Sequence, residues 1–333
     1  MSVIFDALQR AERERSGPEA PVSTAAELLQ LVEKQSASTR KSTILSITDD
    51  VRESIGHNTT LDTSAGSSLT SSVAPQKAAE LPLDDEHLKL FAEFQSIQLS
   101  IPSGSHLPCL TDGESLAAEK FRFLGVRLRH LRRERPLKRL LITSTIPHEG
   151  KSMVAANLAC TLARKGQQKT LLLEGDVRRP SLSQLFGLNK LHGVCELLQG
   201  ENSQISNIYH LDGPGFWILP AGNTTDNPLE LLQSRRLPVL MDQLNALFDW
   251  IVIDCPPILP LADTSVWSRL SDGILLVARQ GTTDKRHLQQ GLETIDYEKL
   301  IGAVLNCSQG SANSDHYYYY RPSTSPRNDS PEN

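Results

Sequence analysis

With 333 residues and 39% apolar side chains, the chain has room for one large domain or two small ones and enough hydrophobic material for a sizeable core. Its formal net charge of −5 comes from interspersed acids and bases, which excludes a basic field for nucleic acid or anionic lipid, so no nucleic acid partner is expected. Five cysteines (Cys109, Cys160, Cys195, Cys255, Cys307) lie far apart without paired C-x-x-C spacing, as reduced thiols of a cytoplasmic protein would. Charges interrupt Met1–Arg15, so no signal-peptide apolar region is present there, and no run reaches the roughly 20 apolar residues of a membrane-spanning helix.

In chain order, residues 1–15 place Ile4, Phe5, Leu8 and Ala11 at helical spacing, which predicts a short amphipathic helix, either a frayed end or a docking element. Residues 16–82 are rich in Ser, Thr, Ala, Pro and Gln and read as a low-complexity linker with one helical stretch at Ala25–Lys34. A helical pattern returns in Asp84–Ile97. A stronger one runs from Ser115 to about Arg133, with Leu116, Phe121, Leu124, Leu128 and Leu131 apolar and Pro136 as its stop.

From Leu137 short aliphatic runs alternate with helical segments: Arg139–Ser144, Thr170–Leu173, Trp217–Leu219, Trp250–Ile253, Gly273–Ala278 and Ile301–Leu305. Runs of that length separated by helices predict buried parallel strands and an α/β, doubly wound, mostly parallel sheet. Residues 83–307 form this domain, and 308–333 a flexible tail containing Tyr317-Tyr318-Tyr319-Tyr320, four of the six tyrosines of the chain.

The run Arg139–Ser144 leads through Thr145-Ile146-Pro147-His148-Glu149-Gly150 to Lys151-Ser152 and a helix expected over Met153–Lys165. A strand, a loop and a helix opening on Gly-Lys-Ser form the context of a P-loop. There backbone N–H groups hold phosphates, Lys151 reaches the β/γ oxygens and Ser152 holds Mg2+. The usual first glycine of that pattern is Thr145. Two further strand ends carry acids, Glu174-Gly175-Asp176 and Asp254, at the sheet edge where open α/β sheets bind ligands. Asp254 stands where a Walker B residue holds Mg2+ directly or through water. Arg178 and Arg179 read either as phosphate ligands or as ion-pair partners.

These segments resemble the bacterial tyrosine kinases that govern capsule and exopolysaccharide synthesis, of the cytoplasmic type without a fused transmembrane domain, over Thr111 to Tyr320. Pro147-x-x-Gly150-Lys151-Ser152 resembles the Walker A loop of that family. Glu174 to Pro180 resembles its A′ element, Asp254-Cys255-Pro256-Pro257 its Walker B, and Asp272–Arg279 the strand that follows. The resemblance implies a P-loop NTPase fold and a protein-tyrosine autokinase using ATP and Mg2+, with Lys151, Glu174, Asp176 and Asp254 catalytic. It implies nucleotide contacts from Pro147 through Met153, including His148 and Glu149, with Arg178 beside them and Asn306 reading adenine. Metal contacts would come from Ser152, Asp176 and Asp254, the base would be Glu174 or Asp176, and Tyr317, Tyr318, Tyr319 and Tyr320 would be the phosphorylated cluster.

His148 stands where the family commonly has glycine, Glu174 replaces the first A′ aspartate, and Cys255 replaces Ser or Thr. Glu119-x-x-Arg122 resembles the start of an oligomerisation motif whose next arginine is here Gly125. The implied partners are a membrane activator of the chain-length-determinant type, a cognate tyrosine phosphatase and further copies of the chain, with recruitment to the inner face of the membrane. Two other classes remain open: a partitioning or positioning switch ATPase, which carries an extra lysine where this chain has Ile146, and a non-catalytic scaffold for an export partner.

Overall fold

The computed structural model describes residues 91–163, 168–200, 207–223, 226–259 and 261–307. The segment 1–15, the linker 16–82 with Ala25–Lys34, and the tail 308–333 with its tyrosine cluster lie outside the described residues.

The strands are β1 (Gln95–Ile97), β2 (Arg139–Ser144), β3 (Thr170–Glu174), β4 (Tyr209–Leu211), β5 (Phe216–Leu219), β6 (Trp250–Asp254), β7 (Gly273–Arg279) and β8 (Leu300–Asn306). The helices are α1 (Pro108–Thr111), α2 (Leu116–Glu134), α3 (Lys151–Ala163), α4 (Leu182–Phe186), α5 (Val194–Gln199), α6 (Pro228–Leu232), α7 (Arg236–Leu247), α8 (Asp263–Leu270) and α9 (Lys285–Glu293). One sheet runs in the order β1-β4-β5-β3-β6-β2-β7-β8. The six strands from β5 to β8 are parallel. At the other end β4 pairs antiparallel with β5, and β1 parallel with β4.

All six aliphatic runs are strands. They are apolar on both faces because both faces are covered. Leu141, Leu171, Leu173, Ile251, Ile253, Ile274 and Leu276 enter one core with α5, α7, α8 and α9. Their strand neighbours Leu140, Ile142, Leu172, Val252, Leu275 and Val277 enter the other with α2 and α3. This is the two-residue alternation of a pleated strand.

Two strands depart from the sequence reading. Gln95–Ile97, expected to end a helix, is the edge strand β1, and β4 was not expected. Each is three residues long, and the polar Gln95, Ser96 and His210 leave no aliphatic run to recognise.

The helix α2 follows its expected limits. The Ser115 hydroxyl accepts the Ala118 N–H at 3.2 Å, which satisfies one orphan donor at the helix start. Phe121, Leu124 and Leu128 are buried, each contributing about 1.5–3 kcal/mol relative to exposure. Gly125 lies on the same inward side. A Cβ built there would stand 2.8 Å from Thr161 Cγ2 of α3. The arginine that the oligomerisation motif would place at this position has no room, because α2 and α3 approach too closely.

Candidate nucleotide and phosphoryl-transfer site

The site gathers at the C-terminal edge of the parallel strands, where β3, β6 and β2 lie side by side. Beyond Ser144 the chain turns through residues 145–150 and α3 begins at Lys151, two residues earlier than expected. Lys151 and Ser152 are therefore in the first helical turn, where unpaired N–H groups and the helix dipole favour an anion. Gly150 has φ +94°, and a Cβ on it would collide with the Asn306 amide. Gly150→Ala is expected to lower stability by about 2 kcal/mol through backbone strain and displacement of Asn306. Thermal unfolding beside a nucleotide titration checks this, and unchanged values for both would contradict it.

The charged centre is compact. Lys151 Nζ donates to Asp176 Oδ2 at 2.9 Å and lies 4.0 Å from Asp254 Oδ1 and 3.4 Å from Ser152 Oγ. Burial lowers the affinity of this amine for its proton, but Asp254 and Asp176 more than offset that and hold its pKa above the ordinary value. Asp254, at the end of β6, is fully buried, and neither of its carboxylate oxygens has a hydrogen-bond partner. Burial pushes its pKa up to about 7 against the pull of Lys151 and of the neighbouring Ser152 hydroxyl, which stands close enough to favour the carboxylate without meeting hydrogen-bond geometry. An orphaned buried carboxylate is costly unless something compensates it. A cation seated between Asp254, Asp176 and Ser152, at the helix terminus that would hold phosphates, fits that requirement. Among the described residues no group of three or more His, Cys, Asp or Glu forms a metal site. A Mg2+ ion here would take its remaining ligands from phosphate oxygens and water, as Mg2+ commonly does.

The A′ segment is fastened to β6. The Asp254 carbonyl accepts the N–H groups of Gly175 at 2.7 Å and Asp176 at 3.1 Å, while Trp267 Nε1 donates to the Gly175 carbonyl at 3.1 Å. Asp176 Oδ1 accepts the Arg179 N–H at 3.1 Å, which leaves Oδ2 to Lys151. Glu174 has both oxygens engaged. Oε1 accepts from Ser181 N at 2.6 Å and Leu182 N at 2.7 Å, and Oε2 from Ala221 N at 3.0 Å. Burial raises its pKa even though these three donors favour the charged form. With its lone pairs directed at the backbone around α4 and β5, Glu174 is built to shape the A′ turn, which favours Asp176 of the two candidate bases. Arg178 pairs with the buried Asp263 through Nε at 2.6 Å and Nη2 at 3.1 Å, an ion pair that ties the A′ segment to α8 in the free protein.

The loop itself divides into lip and brace. Pro147 and His148 are exposed, and His148 has φ +66°, which accounts physically for glycine at this place in the resembling family. Glu149 is fully buried beneath the loop, accepting from Ile146 N at 2.9 Å, from the Thr145 hydroxyl at 3.1 Å and from the Thr283 hydroxyl. Its carboxylate is engaged inside the fold by these donors, which leaves the backbone of this position to meet a nucleotide. Met153 is partly buried in the first turn of α3. Asn306 ends β8 opposite Arg279, donating from Nδ2 to the Glu149 carbonyl at 2.9 Å and accepting the Cys307 N–H at 2.8 Å. Cys255 is buried, and burial pushes its thiol pKa well above the ordinary value, leaving an inert neutral group beside Asp254. Sequence reasoning missed Thr283 and Asp263. Each sits just beyond a strand of the same sheet edge, but neither belongs to a recognisable motif.

No family model matches the chain. Among curated proteins, the tyrosine-protein kinase YwqD of Bacillus subtilis strain 168 is 34% identical over 217 residues, covering 63% of this chain and 89% of that protein. The putative tyrosine-protein kinase CapB of Staphylococcus aureus is 34% identical over 209 residues, 62% of this chain and 91% of the relative. The longer tyrosine-protein kinase etk of Escherichia coli strain K12 is 31% identical over 192 residues, 57% of this chain and 26% of that protein. Among solved structures, the kinase domain of Escherichia coli tyrosine kinase ETK superposes with a TM-score of 0.60 at 29% identity, covering 64% of this chain and 83% of the other. The chimerical protein CapA2B2 gives 0.57 at 28% identity, with 67% and 97% covered.

Proposed function

Because this chain belongs to the bacterial tyrosine-protein kinases, we propose that it transfers the γ-phosphoryl group of ATP to Tyr317, Tyr318, Tyr319 and Tyr320 of its own tail or of a neighbouring copy, in the service of exopolysaccharide or capsule synthesis and export. The observation that carries this reading is the orphaned, fully buried Asp254 carboxylate 4.0 Å from Lys151 at the start of α3. It supports a site built for a cation and an anionic ligand together.

When bound, ATP·Mg2+ supplies the phosphoryl group and the cationic charge that stabilises its transfer. Asp254, Ser152 and Asp176 would hold the cation. Lys151, between two carboxylates in the free protein, turns to the phosphate and neutralises charge developing there. That movement would free Asp176 Oδ2 to accept the phenol proton as the tyrosine oxygen bonds the γ-phosphorus and ADP leaves with the broken bond's oxygen. Glu174 and Arg178 fix the A′ turn that carries Asp176. Asn306, whose amide is engaged by the Glu149 carbonyl and the Cys307 N–H in the free protein, would release one of these bonds to read adenine.

Delivery of the tail is feasible by length. From Cys307, at the end of β8, to Tyr317 is 317 − 307 = 10 residues, an extended reach of about 35 Å. Phosphorylation adds roughly 1.5 to 2 negative charges per tyrosine. Self-repulsion then loosens a tail docked in a neighbour, so cycling between states controls polymer output.

The proposal includes a membrane activator of the chain-length-determinant type, a tyrosine phosphatase and cytoplasmic action at the inner membrane face. Among the described residues no helix is long and apolar enough to cross a membrane. Self-association belongs to the same reading: Glu119 shares a face of α2 with the exposed Leu116, Phe123 and Val126.

The test is mass spectrometry of the full chain after incubation with ATP·Mg2+, alone and with a cytoplasmic activator fragment, beside a variant with Tyr317–Tyr320 changed to Phe. Phosphate is expected on the cluster and absent from the variant. ATP turnover without phosphotyrosine, with activator present, would replace the kinase by the switch ATPase. Absence of nucleotide binding would leave the scaffold.

A further inference from the structure

A buried line of hydrogen bonds reaches the phosphate loop from a turn that takes no part in the chemistry above. Thr283 lies between β7 and α9, 134 positions along the chain from Glu149, and is 2% exposed. Its hydroxyl accepts the Arg279 backbone N–H at 2.8 Å and donates its one proton to Glu149 Oε1. Glu149 passes this restraint to the start of the loop through Ile146 N and Thr145 Oγ1.

Two further bonds come from the same side of the sheet. The Arg279 guanidinium donates to the His148 carbonyl at 3.1 Å, and Asn306 Nδ2 to the Glu149 carbonyl at 2.9 Å. The helix α9 also presses on the loop's first residue, since a Cβ on Gly291 would stand 2.8 Å from Thr145 Cγ2.

A phosphate loop binds its ligand with N–H groups, so a carbonyl turned toward the mouth repels it. The carbonyls of residues 148 and 149 are held by Arg279 and Asn306, and the carboxylate beneath them by Thr283. Ordinary P-loops begin on glycine. Here Thr145 opens the loop, and its hydroxyl is bound to the same carboxylate.

We propose that Thr283 is a positioning residue for nucleotide binding: acting through Glu149, it sets the shape of the phosphate loop without touching the phosphate. This rests on the reading of that loop as the nucleotide site.

The experiment is calorimetric titration of the full chain with Mg·ADP, beside thermal unfolding. Absence of binding by the wild type would overturn the nucleotide reading itself. Given wild-type binding, Thr283→Val, which removes the hydroxyl and keeps the shape, is expected to weaken affinity about tenfold, because a hydrogen bond to a charged group is lost. Thr283→Ser, which restores the hydroxyl, is expected to return affinity to within about threefold of wild type. Thr111→Val is the control for stability alone: its hydroxyl bonds the Leu107 carbonyl at 3.1 Å, at the end of α1. It is expected to lower the unfolding temperature without changing affinity. Wild-type affinity in folded Thr283→Val, or an equal loss in Thr111→Val, overturns the proposal. Should Thr283→Val fail to fold, Glu149→Gln decides. About tenfold weaker binding supports the brace and unchanged binding overturns it.

Discussion

Lys151→Met is expected to lower phosphorylation of the tail at least about a thousandfold, the scale on which loss of a preorganised positive donor at a transferring phosphoryl group is felt. The same substitution reaches stability by a second route. In the free protein the ammonium is 2.9 Å from Asp176 Oδ2 and 4.0 Å from Asp254 Oδ1, and it is the countercharge to both. Removing one partner of a buried ion pair ordinarily costs about 3–5 kcal/mol, because a charge is left without compensation. Asp254 has an escape: its pKa, already raised to about 7, lets it take up a proton once Lys151 is gone. Asp176 loses its 2.9 Å partner at both pH values, so the destabilisation should persist at pH 6 and be larger at pH 8. Phosphopeptide mapping with thermal unfolding at the two pH values measures both effects. Retained phosphotyrosine on the cluster would remove Lys151 from the reaction, and a pH-independent loss of stability would remove its coupling to Asp254.

The elements that carry the site were legible in the sequence because each is announced locally. An aliphatic run such as Trp250–Ile253 followed by Asp254 predicts a buried strand delivering an acid to the sheet edge, and the structure places Asp254 at the end of β6 beside β2 and β3. What was not legible depends on partners far along the chain. Arg178 has two readings in the sequence, and its ion pair with Asp263, 85 positions away, is visible only in the fold. Glu149 sits inside a nucleotide motif, which predicts a ligand contact. Only the placement of Thr283 and Asn306 beneath and beside the loop shows that its carboxylate faces inward. Gly125 read as a broken motif, and the approach of Thr161 on α3 supplies the cause. The edge strands β1 and β4 escaped for another reason: three residues with polar members give no periodicity to read, and their pairing is decided by the strands already in place.

Asp254 should also couple pH to both stability and metal binding. An aspartate with an ordinary value of 3.8 that is raised to about 7 in the fold holds a proton that the unfolded chain has released over that interval. Folding is therefore favoured by the extra bound proton at low pH. The contribution is complete below about pH 4, declines as pH rises through the folded value, and is gone above about pH 7. A shift from 3.8 to about 7 corresponds to about 4 kcal/mol across the window. The charged groups around it are Lys151, which favours the carboxylate, and Glu174 and Asp176, which oppose it. Glu174 is itself raised by burial and adds to stability with the same sign. Asp254→Asn isolates the aspartate: the variant should lose most of the stability difference between pH 4 and pH 7 in denaturant titrations of the free protein. A cation beside Asp254 reverses the balance, so binding Mg·ADP near pH 6.5 should expel a proton that binding near pH 8.5 does not, by the same linkage. Calorimetry in two buffers of different ionisation enthalpy counts that proton. An equal count at both pH values, or the same count in Asp254→Asn, would show that Asp254 meets the nucleotide already ionised and that the orphaned carboxylate is compensated by something other than the metal.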